Sequence, residues 1–232
     1  MRQNLATQQS LMNEDARARF ITKTYINLFG AVMAFMAIES FLLDSAQARE
    51  IAIRAMQGSW LLVLGGFMVV SWVATFMARA ASKPVQYAGL FLYTGAYACL
   101  FLPLMMYALQ VVPDGGLVFK AAMITLSGFI ALTGIAFVTR KNFSFLRGFL
   151  MWGGILAVIA IVAGSLMGFN LGLWFSVAMV GLSGAGILYS TSNIIHEYNE
   201  DDYVGASLEL FASLATMFWY ILQIVISLSG DD

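Results

Sequence analysis

A bundle of seven membrane-spanning helices is the fold this sequence predicts, and three observations predict it. Sixty per cent of the 232 residues are hydrophobic and only 11% charged, a balance that a water-soluble core inside a charged shell does not show. The apolar residues gather into runs of membrane length, since crossing about 30 Å of hydrocarbon at 1.5 Å per residue takes roughly 20 of them. Those runs are apolar all round, without the alternation of a barrel strand, so they read as helices.

Seven runs qualify: Tyr25–Leu43, Trp60–Ala78, Gln86–Ala108, Val118–Val138, Phe145–Met167, Leu171–Ile194 and Val204–Leu228. The breaks between them are short and hold most of the charge, with Gly and Pro marking the turns. Asp44–Ser59, carrying Arg49, Glu50 and Arg54, reads as a loop; so do Arg79–Pro84, Gln110–Gly116, and the run Thr139-Arg140-Lys141-Asn142. Only Gly168, Phe169 and Asn170 part the fifth and sixth runs, and the acidic string from His196 to Asp202 parts the sixth and seventh. None of these loops is long enough to fold alone. The expected organisation is a polar tail over residues 1–23, one membrane domain over 24–229, and a short end at 230–232.

Charge sets the expected orientation. With the amino terminus cytoplasmic, Arg2, Arg17, Arg19, Lys23, Arg79, Lys83, Arg140, Lys141 and Arg147 lie inside, against Arg49, Arg54 and Lys120 outside. Seven spans then leave the carboxyl end outside and the acidic string inside. Ala46-Gln47-Ala48 has the small-residue pattern of a signal-peptidase site, but the long polar head before the apolar run favours an uncleaved first span. The one cysteine, Cys99, lies within the third run and offers no disulfide framework. A net charge of −1 provides no basic face for nucleic acid, so the expected partners are the lipid bilayer and other proteins.

Polar residues at bilayer depth are costly and mark the candidate chemistry. Glu39 sits near the outer end of the first run, where hydration or a bond to Ser40 is its plain reading. Glu209 and Ser213, one turn apart, share a face of the last helix. The neighbouring sixth run ends in Tyr189, Ser190, Thr191, Ser192 and Asn193, so a polar pocket or ion path built from Ser190, Thr191, Asn193, Glu209 and Ser213 is expected. Ordinary interhelical hydrogen bonding, worth about 1 kcal/mol per contact, stands beside that reading. His196, the only histidine, is a candidate pH sensor because neighbouring anions would raise its pKa; a solvated loop histidine is the plainer alternative. The acidic string lacks the ligand spacing and turn glycine of an EF-hand.

Gly181-Leu182-Ser183-Gly184 fits the pattern around the serine of intramembrane rhomboid-type proteases. His196 would lie roughly 20 Å farther along the same helix, too far to act as its base. Close helix approach is the better role for Gly181, Gly184, Ala185 and Gly186. No His-Glu-x-x-His, Walker or dinucleotide fingerprint occurs, so neither a catalytic centre nor a cofactor is expected.

Several stretches together resemble the Bax inhibitor-1 (TMBIM) family, in its bacterial branch that modulates the membrane-anchored AAA protease FtsH. They are Lys23-Thr24-Tyr25 with Ala34-Phe35, Ala81-Ser82-Lys83-Pro84, the run from Thr139 to Leu146, and Gly184 to His196. The resemblance implies a seven-helix bundle with the last helix surrounded by the other six, a cytoplasmic amino terminus, no enzymatic turnover, and FtsH with its accessory proteins as partners. In Ca²⁺-leaking members, two acidic residues on the last two spans form a proton-sensitive dyad. Those positions correspond to Ser190 and Ser213, and a hydroxyl does not ionise in the working range. Glu209 is the one local substitute. Two functions follow as expectations: a regulator that binds a membrane protease, and a pH-sensitive Ca²⁺ or cation leak weakened by those serines. A purely structural membrane protein is a third.

Overall fold

The computed structural model describes the backbone of residues 2–58 and 60–229 and the side chains of 14–58 and 60–229. Among the described residues eight helices follow one another: α1 (Arg2–Asp44), α2 (Ala46–Gln57), α3 (Trp60–Ala78), α4 (Lys83–Val111), α5 (Gly116–Thr139), α6 (Leu146–Met167), α7 (Gly172–His196) and α8 (Tyr203–Ser229). All except α2 are long and apolar enough to cross a membrane, giving the seven expected spans. The protein is an all-α, multi-pass membrane protein.

The eighth helix lies where a loop was expected. Within Asp44–Ser59, Ser45 ends α1 and caps α2, its hydroxyl accepting from the Ala48 N–H at 3.3 Å. Gly58 closes α2 by donating to the Arg54 carbonyl. Charge density suggested a loop, but Ala, Gln, Arg, Glu and Met are all good helix formers. With only Ala52 buried, and Ile51, Ile53 and Met56 exposed, α2 is an amphipathic segment lying over the end of the bundle.

The first helix also begins well before the expected span. Ala16, Phe20 and Thr24 are buried, so the segment read as a tail packs on the bundle from Ala16 onward. The expectation that Gln3, Asn4, Thr7, Gln8, Gln9 and Ser10 bury little concerns side chains outside the described residues, as does the end at 230–232.

At the centre stands α8, touching α1, α3, α4, α5 and α7. The resemblance implied six neighbouring spans; α6 departs from this, packing on α7 and, over a short stretch, on α3. Half of the apolar window of α4 and 44% of that of α8 is buried, against 11% for α3 and α6. The first two therefore form the interior, and the last two turn most of their surface to lipid. Phe101 is packed between Phe35, Trp219 and Phe218, with ring centroids 5.1, 4.9 and 5.6 Å away, which locks α1, α4 and α8 together.

The tightest crossing is between α3 and α4. A Cβ at Gly89 would stand 2.7 Å from the Ala74 carbonyl oxygen and 2.8 Å from the Ala78 nitrogen, so backbone fills the space a side chain would need. Without water to drive helices together, this close approach is a main source of their cohesion. Gly89→Ala is expected to destabilise the bundle by about 1–3 kcal/mol through overpacking; unfolding in mixed micelles at increasing dodecyl sulfate measures it, with Gly95→Ala, which has open space, as the near-neutral control.

Candidate functional site

One end of the bundle is held together by side chains from five helices and loops. Arg17 of α1 donates to the Tyr198 carbonyl at 2.6 Å and to the Ile194 carbonyl at 3.4 Å. A cation there satisfies carbonyls at the end of α7 and faces the negative pole of its dipole. Lys83, at the start of α4, donates to the Asp201 carbonyl, and its ammonium lies 4.1 Å from the centroid of the Tyr203 ring. Ser192 of α7 accepts from the Phe143 N–H at 3.0 Å and donates to the Lys141 carbonyl at 3.3 Å, clasping the α5–α6 connection. Arg17, Arg79, Lys83, Lys141 and the acidic string therefore share one end. The string is pinned by cations as well as wetted.

Between α7 and α8 lie two chambers lined by several of the polar residues singled out from the sequence. A cavity of about 360 Å³ at mid-depth is lined by Ser190, Glu209, Ser213, Tyr189, Tyr93 and Thr216 among others. A second, of about 520 Å³, opens toward the charged end between Arg79, Arg147, Asn193, Tyr198 and Glu209. Glu209 and Tyr189 belong to both, so they form the partition.

The partition is an ion pair. Arg79, in the turn after α3, places Nη2 2.7 Å from Glu209 Oε1; the glutamate side chain is 24% exposed and the arginine 65%. Sequence reasoning counted Arg79 only as a topological charge, and a separation of 130 positions along the chain leaves no local signal of the pairing. Beside them, burial first and the Glu209 charge second raise the Tyr198 phenol above its ordinary range, keeping it a neutral donor.

The other expected residues divide. Ser190 and Ser213 face the middle chamber, and the Ser213 hydroxyl donates back to the Glu209 backbone carbonyl at 3.2 Å. Thr191 does not join them. It is fully buried on another face of α7, and its hydroxyl, with those of Tyr25 and Thr133, lacks a hydrogen-bond partner among the described residues although the three side chains converge. Asn193 lines the charged chamber, its buried Oδ1 without a partner among the described residues. His196 is exposed at the end of α7, its Nδ1 3.0 Å from the Ser192 carbonyl.

Glu39 departs from its plain reading. It is 5% exposed, and among the described residues neither carboxylate oxygen has a hydrogen-bond partner, Ser40 included. Among the described residues no three His, Cys, Asp or Glu side chains gather as metal ligands.

One feature of the site escaped the sequence reading altogether. Glu209, Ser213, Thr216, Tyr220, Gln223 and Ser227 recur at alternating steps of four and three, and all of them line cavities. They form a polar stripe along the whole of α8. Thr216 separates the middle chamber from a larger cavity beyond, and its hydroxyl lies 3.2 Å from that of Tyr97.

The sequence model of the family described as "Inhibitor of apoptosis-promoting Bax1" matches residues 17–230. The chain belongs to the Bax inhibitor-1 family. Within that family it is 29% identical over 216 residues to the Escherichia coli K12 protein named modulator of FtsH protease YccA, covering 92% of each chain. It is 28% identical over 188 residues to Bax inhibitor 1 of Schizosaccharomyces pombe, covering 75% of this chain and 64% of the yeast protein. Two uncharacterized Neisseria meningitidis proteins are each 31% identical over 144 residues, and the match spans 63% of their length.

For this Bax inhibitor-1 member the Arg79–Glu209 pair yields a direct prediction. A double-mutant cycle with Arg79→Ala and Glu209→Gln, read by unfolding in mixed micelles, is expected to return a coupling of about 1 kcal/mol. The single Arg79→Ala change should cost more than the double change, because it leaves a half-buried carboxylate unpaired.

Proposed function

We propose that this chain is a regulator without turnover, seated in the inner membrane with its amino terminus cytoplasmic and its carboxyl end outside, and that it modulates an FtsH-type AAA protease by direct interaction. The observation that carries this reading is the near end-to-end likeness to the E. coli modulator of FtsH protease, over 92% of both chains. The orientation rests on the excess of Lys and Arg at the end where α1 begins, together with the clustering of Arg17, Lys83 and Lys141 there. The long α1 supports a protease partner, because the residues before Ala16 offer a handle on the same side as a cytoplasmic motor.

Two measurements test it. Tagged protein captured from native membranes should bring FtsH or its accessory proteins with it, and capture without either overturns the reading. Deleting residues 2–13, which leaves Arg17 and Phe20 in place, is expected to lengthen the protein's lifetime several-fold in cells containing the protease. An unchanged lifetime would remove the handle while leaving the interaction standing.

The cavities along α8 favour a second reading, a cation leak running past Ser190, Ser213 and Glu209. Closure would come from the Arg79–Glu209 pair, since the two serines hold no proton to share. In proteoliposomes between pH 6 and 8, Arg79→Ala should raise Ca²⁺ flux above wild type and Glu209→Gln should change it. Flux at the level of empty liposomes in all three would eliminate the leak.

A further inference from the structure

A cavity of about 780 Å³ lies at the end away from Arg79, walled by α3, α4, α6, α7 and α8. That volume falls within the range of small-molecule sites, about 300–1,000 Å³. Its walls are chemically selective. None of the lining residues carries a formal charge and eight are aromatic, which suits hydrocarbon better than an ion. Trp60 and Trp219 stack at 6.5 Å on one wall, and Phe101 meets Trp219 edge-on at 4.9 Å behind it.

The polar groups are few and placed together. Ser176, 5% exposed, donates from its hydroxyl to Gln223 Oε1 at 3.1 Å, which fixes the amide. The Gln223 N–H groups donate to no protein acceptor among the described residues, so they are available to an acceptor in the cavity. Depth supplies a further argument. At 1.5 Å per residue Gln223 stands roughly 30 Å along α8 from Tyr203, one hydrocarbon thickness from the charged end. This is the level at which the ester carbonyls of the far leaflet lie.

α3 and α6 touch over only a short stretch, and both line the cavity, with Leu64 of α3 half-buried and Ser165 of α6 exposed. We propose that this cavity holds one acyl chain of a membrane phospholipid, admitted between α3 and α6, with its hydrocarbon against the aromatic wall and its ester carbonyl accepting from the Gln223 amide. The charged head group then stays at the interface near Asn170, where no lining side chain opposes it. The inference stands apart from the protease reading, because its site is at the other end of the molecule.

Trp219 is the reporter. With Trp60, Trp72, Trp152 and Trp174 replaced by Phe, the chain is placed in nanodiscs of phosphatidylcholine brominated midway along one acyl chain, and in unbrominated ones. Trp219 is expected to lose most of its emission in the brominated discs. Ser165→Phe and, separately, Leu64→Phe, each narrowing the lateral opening, should restore much of it, with circular dichroism and elution profile confirming that each variant is folded. Gln223→Leu, which keeps the volume and removes the donor, should lose the lipid that the parent retains through detergent exchange, read by native mass spectrometry. Emission indifferent to bromine but quenched by acrylamide would mean a water-filled vestibule. Quenching untouched by Ser165→Phe and by Leu64→Phe would mean that Trp219 meets only annular lipid. Retention unchanged in Gln223→Leu would overturn the carbonyl contact. Each of these results is incompatible with the proposal as stated.

Discussion

A helix with a polar stripe down its length has no stable place against lipid, and the rest of this bundle follows from that constraint. Glu209, Ser213, Thr216, Tyr220, Gln223 and Ser227 would each lose water on entering hydrocarbon with nothing in exchange. Enclosing α8 among α1, α3, α4, α5 and α7 removes the problem. The enclosure explains the burial of α4, the ring packing around Phe101, and the need for Gly89, where backbone meets backbone. It also explains why α6 is free to face lipid: α7 and the cavities already stand between it and α8.

The charge at the cation-rich end is arranged by the same logic. A lone, half-buried carboxylate at Glu209 would carry a desolvation cost, and Arg79 offsets it from a turn that water still reaches. Because the arginine is mostly exposed and the glutamate partly so, the pair is easier to open than a fully buried bridge. The chambers on either side have different chemistries, hydroxyl-rich toward the middle and zwitterionic toward the end.

The seven spans were legible because membrane length and all-round hydrophobicity are local properties. Trp60–Ala78 agrees at both boundaries, α5 to α8 differ by no more than two residues at either end, α4 is three residues longer at each end, and α1 begins 23 residues earlier, where charged residues still form helix although they no longer sit in hydrocarbon. α2 was hidden because its charges read as a loop, whereas its apolar residues recur at helical spacing. The pairing of Ser190 with Ser213 and Glu209 was visible from adjacent helices and a shared face. Arg79 was not, since its contact depends on how α3 ends against α8. Glu39 shows the opposite failure: position along the helix suggested a wet interface, while packing by neighbouring helices left it dry.

Arg17 gives the molecule a mechanical property. It sits on the same continuous helix as Arg2, and its guanidinium grips the last carbonyls around the end of α7. Tension applied to the amino end of α1 is therefore passed to the connection between α7 and α8, and through Tyr198 to the wall of the chamber that Glu209 closes. Among the described side chains, Arg17 holds the loop beside the ion pair, so extraction from that end would load the site through this bond.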